Sequence, residues 1–158
     1  MKVAKRFGWE GAHRLPWHNG SCANLHGHSY RMVAELEGEP SERGMLIDFK
    51  EVKRVLGPLV DKFDHATLVA ESDEDLLGVV RAMEWKHYVL PFDTTSENLA
   101  RYVADYLGQN ARELLVGRGV STIRVRVEET ETCYAEASRP VSAYTRASPP
   151  KEARGQVG

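Results

Sequence analysis

Residues 26–37 alternate between two kinds of side chain, and that alternation admits a β-strand and little else. His26, His28, Tyr30, Met32, Ala34 and Leu36 share one parity, while Ser29, Arg31, Glu35 and Glu37 share the other, where only Val33 is apolar. Successive side chains of a strand point to opposite faces, so His26 and His28 stand together on the core-facing surface. Residues 2–13 read the same way. Val3, Phe7, Trp9, Gly11 and His13 fall on one side, opposite Lys2, Arg6, Glu10 and Ala12. If the two strands are neighbours, His13 joins His26 and His28.

Three imidazoles with an open fourth position have the stoichiometry of a catalytic Zn2+ site. An isolated His-Gly-His pair would be ordinary loop chemistry, but a third histidine of matching parity and a nearby thiol favour a site. That thiol, Cys22, lies four residues before His26. It has three readings: a thiolate beside the metal, a fourth ligand that closes the site, or a buried structural cysteine. Two further positions carry chemistry. In Asp64-His65 a carboxylate can orient an imidazole, and Glu129 falls on the apolar parity of a strand, where its charge needs a partner with N–H donors.

The remaining elements follow from periodicity and turn residues. Asp48 with Glu51 predicts the cap of a helix over residues 49–63, whose stripe is Phe49, Val52, Val55, Leu56, Leu59, Val60 and Phe63; Pro58 should kink it. Residues 70–93 are weakly patterned, with a short helix over 76–84 and a short strand over 87–90. Thr94 or Thr95 caps a second long helix that Gly117 and Gly119 end. Residues 120–129 alternate again, and a turn at Glu131 and Thr132 pairs them with 133–144. These elements predict an α+β domain with helices on one face of an antiparallel sheet.

With 158 residues the chain is the size of one domain, here 1–146, with a tail over 147–158 that has no periodic apolar pattern and should be disordered. A net charge of -2 gives no footprint for nucleic acid, so a phosphate-bearing ligand needs a local basic pocket; Arg14, Arg31, Lys50 and Lys53 are available. No apolar run is long enough to cross a membrane, and the start lacks a signal-type stretch, so a cytoplasmic location is expected. Two cysteines, Cys22 and Cys133, are too few for a disulfide framework, and a single bridge between them is the lesser alternative.

Taken together, Ala12-His13-Arg14-Leu15, the run Cys22 to Tyr30, Gly44 to Phe49, Asp64-His65, Thr95-Ser96-Glu97-Asn98-Leu99-Ala100 and Glu129-Thr130 resemble the 6-pyruvoyltetrahydropterin synthase superfamily. Within it the chain looks most like the 6-carboxy-5,6,7,8-tetrahydropterin synthase branch of queuosine (7-deazaguanine) biosynthesis, because three residues separate the cysteine from His-Gly-His. The resemblance implies the tunnelling fold, a four-stranded antiparallel sheet with two helices packed on one face, joined into rings that commonly stack as a hexamer. It implies Zn2+ on His13, His26 and His28, Cys22 as catalytic base, Asp64 and His65 as relay partners, and Glu129 as anchor of the pterin ring. The implied activity is a lyase acting on 7,8-dihydroneopterin triphosphate, with pyruvoyl-type elimination or a non-catalytic pterin- or purine-binding module as alternatives. Two departures stand out: Thr94 where the family usually has proline, and Leu68-Val69 in place of Leu-Asn after the Asp-His element.

Overall fold

The computed structural model describes residues 1–144. The predicted tail over 147–158 and the last two residues of the predicted domain lie outside the described residues. β1 (Lys2–His13) and β2 (His26–Gly38) form the antiparallel pair that alternation predicts. Its register sets Trp9 opposite Tyr30, Gly11 opposite His28 and His13 opposite His26. β5 (Val120–Thr130) pairs with β2, and β6 (Cys133–Pro140) pairs with β5.

The sheet is larger than predicted and is not purely antiparallel. β3 (Ala66–Ala70) runs parallel to β1, and β4 (His87–Leu90) runs parallel to β3, giving six strands in the order β4-β3-β1-β2-β5-β6. Every residue of β3 and β4 is buried. A strand covered on both faces shows no alternation, and this is why β3 escaped the period-2 reading and why β4 was not joined to the sheet.

Among the described residues there are four α-helices, where two packed on the sheet and a short one over 76–84 were expected. α1 (Phe49–Phe63) starts at Asp48, whose side chain accepts the Lys50 N–H at 2.8 Å, and it runs through Pro58. It buries Val52, Leu56, Leu59, Val60 and Phe63, while Phe49 at the head of the predicted stripe is 47% exposed. α2 (Glu74–Ala82) fills the weakly patterned segment. α3 (Ser96–Asn110) is capped by Thr95 and stops earlier than predicted. Ala111 leaves helical geometry, and a separate α4 (Arg112–Gly117) buries Leu115 before Gly119, at φ +71, turns the chain into β5.

The helices also do not share one face. Leu68, Tyr88 and Leu90 belong to the main core with α1 and α3, whereas Val69 and Val89, of opposite parity, form a second core with Leu76, Leu77 and Val80 of α2. α2 therefore covers the reverse face at the β3-β4 end, because fully buried strands need cover on both sides. Beyond α2's reach the reverse face is wet and balances its own charge: Arg124 bridges Glu35 and Glu37, and Arg126 bonds Glu136. The main core centres on Phe63, with ring centroids 5.4 Å from Trp9 and 5.1 Å from Tyr88. Phe63→Ala should destabilise the fold by about 3–5 kcal/mol, against less than about 1 kcal/mol for Phe49→Ala on the same helix, measured by denaturant unfolding.

Candidate metal and pterin site

Two strands deliver the three histidines. His13 ends β1, His26 opens β2, and His28 follows on the same face of β2. Ring centroids are 4.7 Å apart for His13–His26, 5.2 Å for His13–His28 and 4.9 Å for His26–His28, and one ligand atom from each lies within 4.8 Å of the others.

Backbone carbonyls fix two of the rings. His13 Nδ1 lies 2.8 Å from the Thr94 carbonyl oxygen, and His26 Nδ1 lies 2.8 Å from that of Asn24. A carbonyl only accepts, so each Nδ1 carries the proton and each Nε2 keeps its lone pair, the tautomer a metal requires. His13 Nε2 is buried and has no partner. Such an orphan is costly unless something binds it, and a three-imidazole donor set fits a divalent cation of the zinc type. Burial, then the Thr94 contact in the opposite sense, then His26 and His28 set the His13 pKa, which is lowered to about 4; burial and His26 also lower that of His28. Neutral rings are what a cation needs.

Cys22 sits in a turn of 3₁₀ helix (Ser21–Ala23), partly buried, with its carbonyl accepting the Leu15 N–H at 2.8 Å. Its sulfur does not join the group of mutually close ligand atoms. Both cysteines are free.

Glu129 stands at an irregularity between β5 and β6, where the register shifts between Glu128 and Thr130. Burial raises its pKa most, the Glu97 carboxylate adds to this, and His26 and the Ser96 N–H oppose it. Glu129 thus feels the charge of His26, one of the three histidines, and of Glu97, which the sequence showed only as part of the run Thr95 to Ala100. Thr94 was likewise missed as a support of His13. Thr95 takes the cap, leaving Thr94 fully buried with its hydroxyl 3.4 Å from His13 Nδ1.

Asp64 and His65 form the expected pair but stand apart from this cluster. His65 Nδ1 is 2.9 Å from Asp64 Oδ2, and Asp64 Oδ1 accepts the Glu10 N–H at 2.9 Å. The Glu10 N–H and then His65 hold the Asp64 pKa below its ordinary value. His65 donates its own N–H to the Glu10 carbonyl and sits at φ +53, a strained backbone for a residue with a side chain. Its side chain is 76% exposed, and among the described residues no hydrogen bond or ion pair ties the dyad to Cys22 or the three histidines. Of the basic candidates, Arg14 is bonded to Asp73, and Arg31 takes the strand parity opposite to His28 and Tyr30.

A family model described as 6-pyruvoyl tetrahydropterin synthase matches residues 2–140. The chain is 29% identical over 144 residues to 6-carboxy-5,6,7,8-tetrahydropterin synthase of Haemophilus influenzae, covering 86% of this chain and 97% of the relative. It is 33% identical over 128 residues to a putative 6-carboxy-5,6,7,8-tetrahydropterin synthase of Archaeoglobus fulgidus, covering 81% and 87%. The fold is shared with the solved 6-pyruvoyl tetrahydropterin synthase of Plasmodium falciparum (TM-score 0.70, 19% identity, 89% of this chain and 98% of that one). It is also shared with an uncharacterized protein from Wolinella succinogenes (TM-score 0.71, 22% identity, 87% and 97%).

Two outcomes follow from the imidazole geometry. Replacing His13, His26 or His28 by Gln should each weaken divalent-cation binding by more than about 100-fold, beyond the 10–100-fold typical of losing an outer partner, as read by chelator competition. Between about 4 and 6.5 the unfolded chain holds a proton on His13 that the folded chain refuses. Stability of the metal-free protein should thus fall as pH drops through that window and be insensitive to His13 above it. His13→Gln should flatten that limb in denaturant midpoints.

Proposed function

The chain belongs to the 6-pyruvoyl tetrahydropterin synthase family, and from that premise we propose that it is a zinc-dependent lyase of the 6-carboxytetrahydropterin type. Its substrate would be 7,8-dihydroneopterin triphosphate, which with one molecule of water is converted to 6-carboxy-5,6,7,8-tetrahydropterin with release of acetaldehyde and triphosphate, as a cytoplasmic step of queuosine biosynthesis. The observation that carries this reading is the separation of Cys22 from the three-imidazole cluster. A thiol outside the ligand set leaves an open position beside it, which a structural Cys-ligated zinc would not. The relatives named as 6-carboxytetrahydropterin synthases at 29–33% identity favour this branch over pyruvoyl-type elimination.

His13, His26 and His28 would hold Zn2+, which when bound supplies Lewis acidity toward the substrate's side-chain hydroxyls. Cys22 takes a proton from the side-chain carbon and returns one to the ring. Glu129 accepts a pair of N–H groups from the pterin, a reading its half-buried, unpaired-in-sheet position at the β5 irregularity supports. His65, oriented by Asp64, is the second acid/base group. Because the dyad is exposed and unbonded to the thiol loop, it serves the cluster of a neighbouring copy in a homo-oligomeric ring.

Zinc-loaded protein incubated with the triphosphate should yield acetaldehyde and a 6-carboxy product by mass. A pyruvoyl product without acetaldehyde would move it to the sister activity, and pterin binding without turnover would make it a binding module. Cys22→Ala should lower kcat by at least about 100-fold while retaining zinc; full turnover would remove Cys22 as base. Mixing dissociated Cys22→Ala and His65→Ala chains should regain activity in up to roughly a quarter of the sites of a randomly assembled ring, whereas a dyad acting within its own chain would regain none.

A further inference from the structure

The segment over residues 70–93 has no part in the chemistry above, yet it contains the most buried carboxylate of any ion pair among the described residues. Asp73 is 4% exposed, against 30% or more for the other acids so paired. Its two oxygens receive a fork from Arg14, Nε to Oδ2 at 2.7 Å and a terminal nitrogen to Oδ1 at 2.5 Å. Oδ1 also accepts the Leu76 N–H at 3.1 Å, so the same carboxylate caps α2. A bidentate pair of this kind fixes geometry as well as charge.

What the fork holds in place matters more than its strength. Arg14 follows the His13 ligand and precedes Leu15, whose N–H bonds the Cys22 carbonyl at 2.8 Å; the Leu15 carbonyl in turn accepts the His18 N–H at 2.9 Å. Leu15 is buried, 9% exposed. One arginine therefore sits between the metal cluster and the thiol loop, and its side chain is spent on Asp73 rather than free for a phosphate. The Asp73 pKa is held down by that fork first and by the Leu76 N–H, against the opposing effect of burial.

We propose that Asp73 is a positioning residue for Cys22: through Arg14 it fixes the backbone between His13 and the Leu15–Cys22 bond, and so sets the thiol against the three imidazoles. The proposal rests on the reading of Cys22 as the acting thiol. It gives α2 and its segment a role in the reaction although they cover the reverse face of the sheet.

Asp73→Asn separates this role from the cap, because Asn caps a helix as well as Asp does, while the charged fork is lost. The experiment uses zinc-loaded protein in a Cys133→Ser background, where Cys22 is the single thiol, and reads three quantities: the iodoacetamide alkylation rate of Cys22, kcat and KM, and the thermal midpoint. Alkylation should change by about 5-fold or more and kcat should fall about 10-fold, with KM held within about 2-fold, since small misplacement of a reacting group costs rate. Arg14→Lys, which keeps the charge but not the fork, should move the same quantities less, and in combination with Asp73→Asn should add little, as members of one unit do. A lower midpoint with unchanged alkylation and kcat would overturn the proposal and leave Asp73 a brace for α2. A raised KM at constant kcat would overturn it in favour of Arg14 holding the triphosphate. Should Cys22→Ala retain full turnover, the functional reading fails, while the alkylation rate still judges the positioning.

Discussion

The register of β1 against β2 is the constraint on which the site depends. Pairing His13 with His26 and Gly11 with His28 puts three rings on one face within reach of a single ion, and a slip of one residue would turn a strand's histidines to the opposite face. The same pairing stacks Trp9 on Tyr30, with ring centroids 5.0 Å apart and planes 13° from parallel, directly beneath the histidines. The core thus holds the register, and the register holds the site. Tyr30 lies 5.3 Å from His28 and 5.9 Å from His13 by ring centroids, so the aromatic floor and the imidazoles touch without a polar layer between them.

How much of this could be read in advance depended on how many faces each element shows to water. β1, β2 and β5 alternate because one of their faces is wet, and α1 declares itself through a stripe and a cap; their bounds agree closely with the pattern. β3 and β4, buried on both faces, carry no such signal, and with them went the parallel part of the sheet and the placement of α2. The end of α3 was not legible because Ala111, where helical geometry breaks, is the strongest helix former and neither glycine nor proline stands beside it. At the site, the histidines were legible from parity and Glu129 from its apolar position. Thr94 and Glu97 were not, because their roles come from where the start of α3 docks, a contact far away in sequence.

The two faces of the sheet divide the labour. His13 and Arg14 are consecutive, yet one bonds the loop before α3 and the other bonds the cap of α2. The end of β1 is therefore gripped from both sides, by the Thr94 carbonyl and by Asp73. The Asp64-His65 pair is held by the backbone of Glu10 and by Lys86, whose ammonium donates to the Asp64 carbonyl at 2.6 Å, while the His65 side chain stays 76% exposed. Placement of the three histidines and outward presentation of the dyad both depend on one topology, β3 running alongside β1.

The Glu97–Glu129 pair carries a thermodynamic consequence. Burial first, and then the nearby Glu97 carboxylate, make Glu129 hold a proton more tightly than an ordinary glutamate. A ligand that brings N–H donors to Glu129 stabilises the charged form and drives that proton out. Occupancy and proton release are then linked, so heats of association would contain the ionisation heat of whichever buffer receives the proton, and the apparent affinity would rise with pH until Glu129 of the empty site is itself charged.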